Sequence, residues 1–495
     1  MYMHSIASKF ISTWVAIFVL GRACLPNEPS IYRRCWQHRP TLVRRPRFLY
    51  YLFILLLLQA VFLRAETSRP NIIFIMADDL GYGDLGCYGQ KEILTPNIDR
   101  LAAEGMRFTQ CYAGSTVCAP TRCVLMTGLH TGHSRVRGNS GWEGPDRERI
   151  HVPLRNEDVT VAEVLKTAGY ATGVTGKWGL GLPGTAGIPT RQGFDEWLGF
   201  LDQSHAHGYY PEYIWHNESM VSLDGNLGGH QKEWIHDQFT HFSLEFIRDH
   251  KDQPFFLYVA YTIPHGRYEI ASDAPYSNMN WPQDVKNYAA MVSRMDHDVG
   301  RIIDLLRELR IDSKTIVFFT SDNGAEIFYF RKAELIQEYE SILQSSGPLR
   351  GWKRDLTDGG VRVPMIVRWP GKVKANTVSD RVWAFWDFLP TAAHLAALNP
   401  PKNIDGTSIV RTLLGDAHEE HEFLYWEFFE RGFQQAVRHR DFKALRLKQN
   451  EPLELYRVTE DSKEVNNIAS QHPDVVQHIE AYLQTARTAS PFWPK

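Results

Sequence analysis

Cysteine is scarce in this chain of 495 residues: six in all, two of them (Cys24 and Cys35) near the start. The remaining four, Cys87, Cys111, Cys118 and Cys123, are too few in so long a chain to form a disulfide framework. Cys87 could pair with Cys111 or Cys123, or stay a small buried hydrophobe; the sequence leaves both open. Internal repeats and low-complexity tracts are missing too, which excludes solenoid, collagen-like and compositionally disordered classes. Positive charge is not in excess. Residues 1–65 carry nine Lys or Arg and one Glu; without them 45 basic and 56 acidic residues remain, a net charge of −11. Nothing therefore argues for nucleic acid or for a general attraction to polyanions, and any grip on an anionic substrate must come from a local cluster.

A spanning apolar run of about 20 residues is also lacking. The longest candidate, Phe48 to Leu63, is uncharged, follows Arg44, Arg45 and Arg47, and ends at Arg64-Ala65 before a polar stretch. A positive flank, a run of this length and a small residue at its end describe an export signal, with cleavage expected after Ala65; an uncleaved membrane anchor is the alternative. The expected product is secreted or periplasmic. The length of the rest suggests a large domain over 66–400 and a smaller one over 401–495.

What the chain does contain is a series of buried-strand patterns, each ending in polar residues. Asn71 to Ala77 is nearly all apolar and β-branched, and delivers Asp78-Asp79 at its carboxyl end, where open α/β sheets place ligands. Two acids before Leu80-Gly81-Tyr82-Gly83 are ordinarily a solvated turn. Behind a buried strand their charge needs a partner, and a divalent cation supplies one. Tyr170 to Thr175 leads into Gly176-Lys177-Trp178-Gly179, Phe255 to Tyr261 into Pro264-His265, and Thr315 to Thr320 into Ser321-Asp322-Asn323-Gly324. A surface lysine, a turn histidine and an Asp-Asn-Gly turn are the plain readings of these three. Helical periodicity falls between the strands: after Thr95-Pro96, over Val159–Thr167, and over Tyr288–Leu309, whose Met291 and Met295 read as core. This alternation predicts an α/β fold, a mostly parallel central sheet flanked by helices. Pro183 to about Gln238 is loop-rich and is expected to rim a pocket. Beyond Pro400-Pro401, four short runs (Glu422–Phe429, Gln434–Arg438, Phe442–Leu447, Leu453–Tyr456) and a helix over Pro473–Arg487 predict a smaller α+β unit with an antiparallel sheet.

Cys118-Ala119-Pro120-Thr121-Arg122, with Met126-Thr127-Gly128 just beyond, is read as a loop that fits neither a cysteine protease nor a redox or zinc pair: no local His, no second Cys three residues away. The plain reading is a buried Cys beside an exposed Arg. Cys-x-Pro-x-Arg followed by Thr-Gly resembles the signature of the type I sulfatases, a branch of the alkaline phosphatase superfamily. The resemblance runs from about Pro70 to the C-terminus. It includes Asp78-Asp79-Leu80-Gly81-Tyr82-Gly83-Asp84, Gly176-Lys177-Trp178, Pro264-His265, Asp322-Asn323-Gly324, and Lys353 ahead of Gly359-Gly360-Val361-Arg362-Val363-Pro364.

That resemblance implies an alkaline phosphatase-like fold and a catalytic Cys118 oxidised by a maturation enzyme to Cα-formylglycine. As a geminal diol, it attacks sulfur with one hydroxyl and ejects sulfate through the other, which serine could not do. Arg122 would hold the modified side chain. Asp78, Asp79, Asp322, Asn323 and an oxygen of modified Cys118 would hold one hard cation, Ca²⁺ ahead of Mg²⁺, since a two-zinc phosphatase would need histidines there. Lys177 and Lys353 would bind the sulfate, and His265 would hydrogen-bond it and protonate the leaving oxygen. The chain departs from the commoner pattern at Gly179, where a His usually stands. The segment Phe200–Tyr210 is expected to supply the missing imidazole through His205 or, as a substrate-binding residue, His207, the two sharing a face if extended. The expected activity is hydrolysis of an aryl or carbohydrate sulfate ester, with the ester and the maturation enzyme as partners. A phosphate or phosphonate monoester hydrolase using the same residue is the near alternative, and an inactive sulfatase-like binding protein the distant one.

Overall fold

The computed structural model describes residues 69–144, 146–326, 333–416 and 420–494. The leader and its apolar run lie outside the described residues. Among those described, no helix is long and apolar enough to cross a membrane.

Among the described residues, seventeen strands follow in chain order. They are β1 (Asn71–Asp78), β2 (Met106–Tyr112), the hairpin β3 (Gly141–Glu143) and β4 (Glu148–Ile150), β5 (Ala171–Lys177), β6 (Glu196–Phe200), β7 (Tyr213–His216), β8 (Ser219–Ser222) and β9 (Phe255–Pro264). Then come β10 (Thr315–Ser321), β11 (Arg362–Arg368), β12 (Thr377–Ser379), β13 (Trp383–Ala384), β14 (Leu424–Phe428), β15 (Gln434–His439), β16 (Phe442–Arg446) and β17 (Glu454–Arg457). The large sheet has the order β12-β2-β11-β10-β1-β9-β5-β6-β7-β8, with β13 beside β2. Its centre, β10-β1-β9-β5-β6, is parallel throughout.

Every residue of β1, β9 and β10 is buried, as an unbroken apolar run requires of a strand covered on both faces. Alternation along β1 divides its side chains between two cores. Ile72, Phe74 and Met76 join the core under the helices Cys118–Thr127, Val161–Lys166 and Phe388–Leu395. Ile73, Ile75 and Ala77 join the core under Pro96–Ala103, Ile235–Asp249 and Gln283–Glu308. Met291 and Met295 are fully buried there, as core residues.

The parallel register decides where the polar strand ends go. Ala77 pairs with Ser321 and Asp78 with Pro264, and Gly176 lies beside Ala260. Asp78, Asp322, His265 and Lys177 therefore leave four neighbouring strands at one carboxyl edge. β11 runs antiparallel to β10, so it begins at that same edge and returns the segment containing Lys353 to it. The stretch after Lys177 is less irregular than its composition predicts: β6, β7 and β8 extend the sheet through it, because Trp197, Ile214 and Tyr209 are buried and the backbone beside them must be paired.

β14 to β17 form the antiparallel four-stranded sheet, packed with the helix Pro473–Leu483 around Tyr425, Val437, Leu455 and Ile479. Trp426 Nε1 donates to Ala113 O at 2.9 Å, and Lys443 pairs with Asp358 at 2.7 Å, tying this sheet to the large one. His421, just before β14, pairs with Asp387 at 2.7 Å. Burial opposes charge on His421, but Asp387 prevails and lifts its pKa above the ordinary imidazole value. With the folded pKa raised, this contribution is complete below about pH 6.5, the unfolded value, and is lost as pH rises through the higher folded one. His421→Gln is expected to lower the melting temperature by about 1–3 °C at pH 6 and by less at pH 9. Melting curves of both proteins at the two values check this; a constant difference contradicts it.

Candidate active site

The cysteine motif, expected as a loop, is the first turn of the helix Cys118–Thr127. Pro120 is tolerated because a first-turn residue has no intrahelical N–H bond to lose. Asn139 Oδ1 accepts from the free Ala119 N–H at 3.0 Å. The four-residue spacing between Cys118 and Arg122 is thus one helical turn, which sets both on one face. Arg122 is fully buried rather than exposed, and donates to Asp322 Oδ2 at 2.9 Å and to the Lys177 carbonyl.

Asp78, Asp79, Asp322 and Cys118 converge: one ligating atom from each lies within 4.8 Å of all the others, and all four residues are buried. Cys118 Sγ is 3.3 Å from Asp78 Oδ1. Lys177 Nζ donates to Asp78 Oδ2 at 2.7 Å. Lys353 Nζ reaches both oxygens of Asp79, at 2.7 and 2.8 Å. His265 Nε2 is 3.4 Å from Asp79 Oδ2. Asn323 Nδ2 donates to Asp79 Oδ1 at 2.7 Å, while its Oδ1 is buried with no hydrogen-bond partner among the described residues.

Burial works against charge on every member of this cluster, and the neighbours decide which stay ionised. Lys177, His265 and Arg122 hold Asp78 well below the ordinary carboxylate range despite burial. Asp322 goes the other way: burial and the adjacent Asp78 push it up to about 7. Burial and Asp78 also push the Cys118 thiol far above its usual value, which disfavours the thiolate. Burial depresses His265 to about 4, making it a neutral imidazole at pH 7. Three carboxylates and an unpartnered amide oxygen in one buried volume fit a hard divalent cation, whose charge would relieve the repulsion recorded by Asp322.

The segment after β6 separates the two histidines expected to share a face. Asp202 Oδ1 accepts from Ser204 N and His205 N, winding His205–His207 into a 3₁₀ turn rather than a strand. His205 is directed to Phe200 and Tyr213. His207 stacks on His265, centroids 4.4 Å apart, and is depressed to about 3 by burial, with His265 and Lys177 adding to it. Neither takes the space at residue 179; Gln203 does. Residues the sequence did not single out include Glu326, buried 3.6 Å from Lys353 and 2.6 Å from Arg354. Its position three residues after Asn323, in the same strand-end loop, was the available signal. Asp84, in the first motif, is structural: it accepts from Gly81 N at 2.7 Å and from the Tyr288 hydroxyl.

A second group, His130, His133 and Asp405, has ligand-like spacing. Gly132 N donates to His130 Nδ1 at 3.1 Å, which puts the proton of the neutral ring on Nε2 and leaves no lone pair facing Asp405. It reads as a tie between segments. All four described cysteines are unpaired.

The family model described as Sulfatase matches residues 70–398, well over half of the chain. The chain belongs to the sulfatase family. A second model, described as N-sulphoglucosamine sulphohydrolase, C-terminal, matches residues 350–489. An N-acetylgalactosamine-6-O-sulfatase of Bacteroides thetaiotaomicron is 30% identical, over 86% of this sulfatase and 94% of the relative. An arylsulfatase of Hemicentrotus pulcherrimus is 33% identical, over 75% and 67% respectively. Among solved structures, Ps i-CgsB in complex with k-i-k-neocarrahexaose superposes with a TM-score of 0.73 at 27% identity, covering 86% of this sulfatase and 95% of that chain. This sulfatase is accordingly a hydrolase of sulfuric esters, and its central sheet with the antiparallel C-terminal sheet is the architecture of its structural neighbours.

Proposed function

We propose that this sulfatase hydrolyses a sulfate ester carried on a sugar, using a Cα-formylglycine made from Cys118 and one hard divalent cation, Ca²⁺ ahead of Mg²⁺. The observation that carries the reading is the convergence of Asp78, Asp79, Asp322 and Cys118 within 4.8 Å, flanked by Lys177 and Lys353. The relatives named N-acetylgalactosamine-6-sulfatase and the neighbour in complex with k-i-k-neocarrahexaose support a carbohydrate ester. We further propose an exported protein, processed near Ala65, with a catalytic domain over 66–400 and a C-terminal domain over 401–495.

Asp78, Asp79, Asp322 and the Asn323 amide oxygen would hold the cation, which when bound polarises sulfate oxygens and neutralises their charge. The modified residue would supply two hydroxyls on one carbon: one would bond to sulfur as the S–O bond to the alcohol breaks, and loss of the other's proton would break the C–O bond to sulfate and restore the aldehyde, which water rehydrates. Lys177 and Lys353 orient the sulfate and offset the negative charge that grows on it in the transition state. Arg122, held by Asp322 and the Lys177 carbonyl, fixes the helix turn that carries residue 118. His265 is neutral until an anion arrives; the ester's negative charge favours its protonation, and the proton then goes to the departing alcohol oxygen.

Turnover of N-acetylgalactosamine 6-sulfate, nitrophenyl sulfate and nitrophenyl phosphate, with the mass of the Cys118 peptide, tests the proposal. The expected result is release of sulfate from the first two esters and an aldehyde mass in place of the thiol. Preferred phosphate turnover, or a thiol mass in active protein, overturns it.

A further inference from the structure

Gly179 sits at φ +77°, and a Cβ built on it would lie 1.9 Å from Nε2 of Gln203. The Gln203 amide is therefore what fills the space beside residue 179. Trp178 N donates to Phe200 O at 2.9 Å and Gly179 N to Leu201 O at 3.0 Å, which continues the β5–β6 pairing past both strand ends. That ladder carries Gln203 to the carboxyl edge, next to the chain that has just delivered Lys177. Both polar atoms of the Gln203 amide are buried, and neither has a hydrogen-bond partner among the described residues. A buried carboxamide with nothing to bond is unfavourable, so its partner must come from outside the protein chain, as a ligand or an ordered water.

The same glycine touches a second group of this kind. His151 Nε2 faces the Gly179 carbonyl at 3.2 Å. A ring nitrogen facing a carbonyl must donate, so Nδ1 is the bare acceptor of the neutral ring, and it too is buried without a partner among the described residues. Burial lowers the His151 pKa, keeping the ring neutral. The groups bracketing Gly179 are thus an amide with a donor and an acceptor, and an imidazole acceptor, none of them charged.

We propose that Gln203, with His151, forms an uncharged subsite beside the sulfate position that binds the neutral hydrogen-bonding groups, hydroxyl or acetamido, of the sugar bearing the ester. The proposal rests on the carbohydrate-sulfatase reading above. The division of labour follows from charge. Lys177 and Lys353 outcompete a neutral amide for sulfate, whereas a donor and an acceptor side by side match a hydroxyl pair or the N–H and C=O of an acetamido group. A substrate lacking these groups leaves the buried amide unpaired, and sites built this way discriminate strongly. Gly179 follows as a requirement: any side chain there would displace the Gln203 amide.

Gln203→Leu removes both polar atoms and Gln203→Glu keeps the size while removing the donor. With the full-length, matured enzyme, kcat/KM is measured for N-acetylgalactosamine 6-sulfate, galactose 6-sulfate and nitrophenyl sulfate. Gln203→Leu is expected to lower the value for the sugar esters about 10–100-fold more than for nitrophenyl sulfate, which has neither group. If Gln203→Leu does not fold, the same ratio is read from Gln203→Glu, expected at about 10-fold. A loss confined to one sugar tells acetamido from hydroxyl recognition. Equal losses on sugar and aryl esters, or no loss, overturn the subsite while leaving the sulfatase reading intact. Wild-type enzyme that hydrolyses nitrophenyl sulfate but neither sugar ester overturns the carbohydrate reading and the subsite together.

Discussion

Cys118→Ser is expected to lower kcat by more than about 1000-fold and to leave a sulfated serine on the enzyme. The site explains both halves of that outcome. Burial and Asp78 push a thiol at position 118 up, which disfavours a simple thiolate as the nucleophile. A serine hydroxyl would lie 3.3 Å or so from Asp78, where Cys118 Sγ is, between Lys177 and Lys353, and could take up the sulfuryl group once. It then has no second hydroxyl whose proton can leave to expel sulfate, so the reaction stops after one equivalent of alcohol. A burst of alcohol equal to the enzyme, with a sulfuryl mass on the peptide containing residue 118, is the positive result; Cys118→Ala should give neither. Sustained turnover by Cys118→Ser would mean that the wild-type residue works through a single hydroxyl-like group, and the formylglycine proposal would fall.

Removal of the cation is expected to be nearly as damaging. Chelation should reduce kcat by about 100–1000-fold or more, with Ca²⁺ restoring it better than Mg²⁺. Without a cation, three carboxylates share one buried volume and Asp322 is forced toward its protonated form. With one, all three would be ionised and the Asn323 oxygen would gain a partner. Binding to the folded state alone raises stability with concentration, so the melting temperature should climb with added Ca²⁺. Asp79→Asn removes one ligand charge and deprives Lys353 of its closest partner, leaving a buried ammonium beside Glu326 at 3.6 Å. Breaking a buried pair this way costs about 3–5 kcal/mol. The variant should therefore melt lower, lose its Ca²⁺ response and lose more than about 1000-fold in activity. Full wild-type activity after exhaustive chelation would rule out the cation.

The features legible in the sequence were those with a local physical signature. Asn71–Ala77, Phe255–Tyr261 and Thr315–Thr320 could be identified because a strand buried on both faces must be apolar at every position. Their polar terminations stood out for the same reason: Asp78-Asp79, His265 and Asp322-Asn323 have no business in a core. Arg122 and Cys118 were legible as a motif, but the helix that makes four residues one turn was not, because Pro120 reads as a loop signal until its first-turn position is known. Where His205 and His207 point was hidden for a similar reason. Their spacing implies a shared face only in extended chain, and one carboxylate, Asp202, folds that segment otherwise.

The sequence alone determined the buried strands, the polar residues each one presents, and the type of chemistry those residues permit. Only the tertiary structure decided which strands are neighbours, and hence that Asp322 meets Asp79 from 243 residues away and that Lys353 returns to the same edge. Parallel pairing is non-local, and nothing in a strand's own pattern names its partner or its register. The same holds for Gln203: an ordinary polar residue in a turn becomes a candidate ligand-binding group only when pairing beyond β5 and β6 sets it against a glycine and closes water away from its amide.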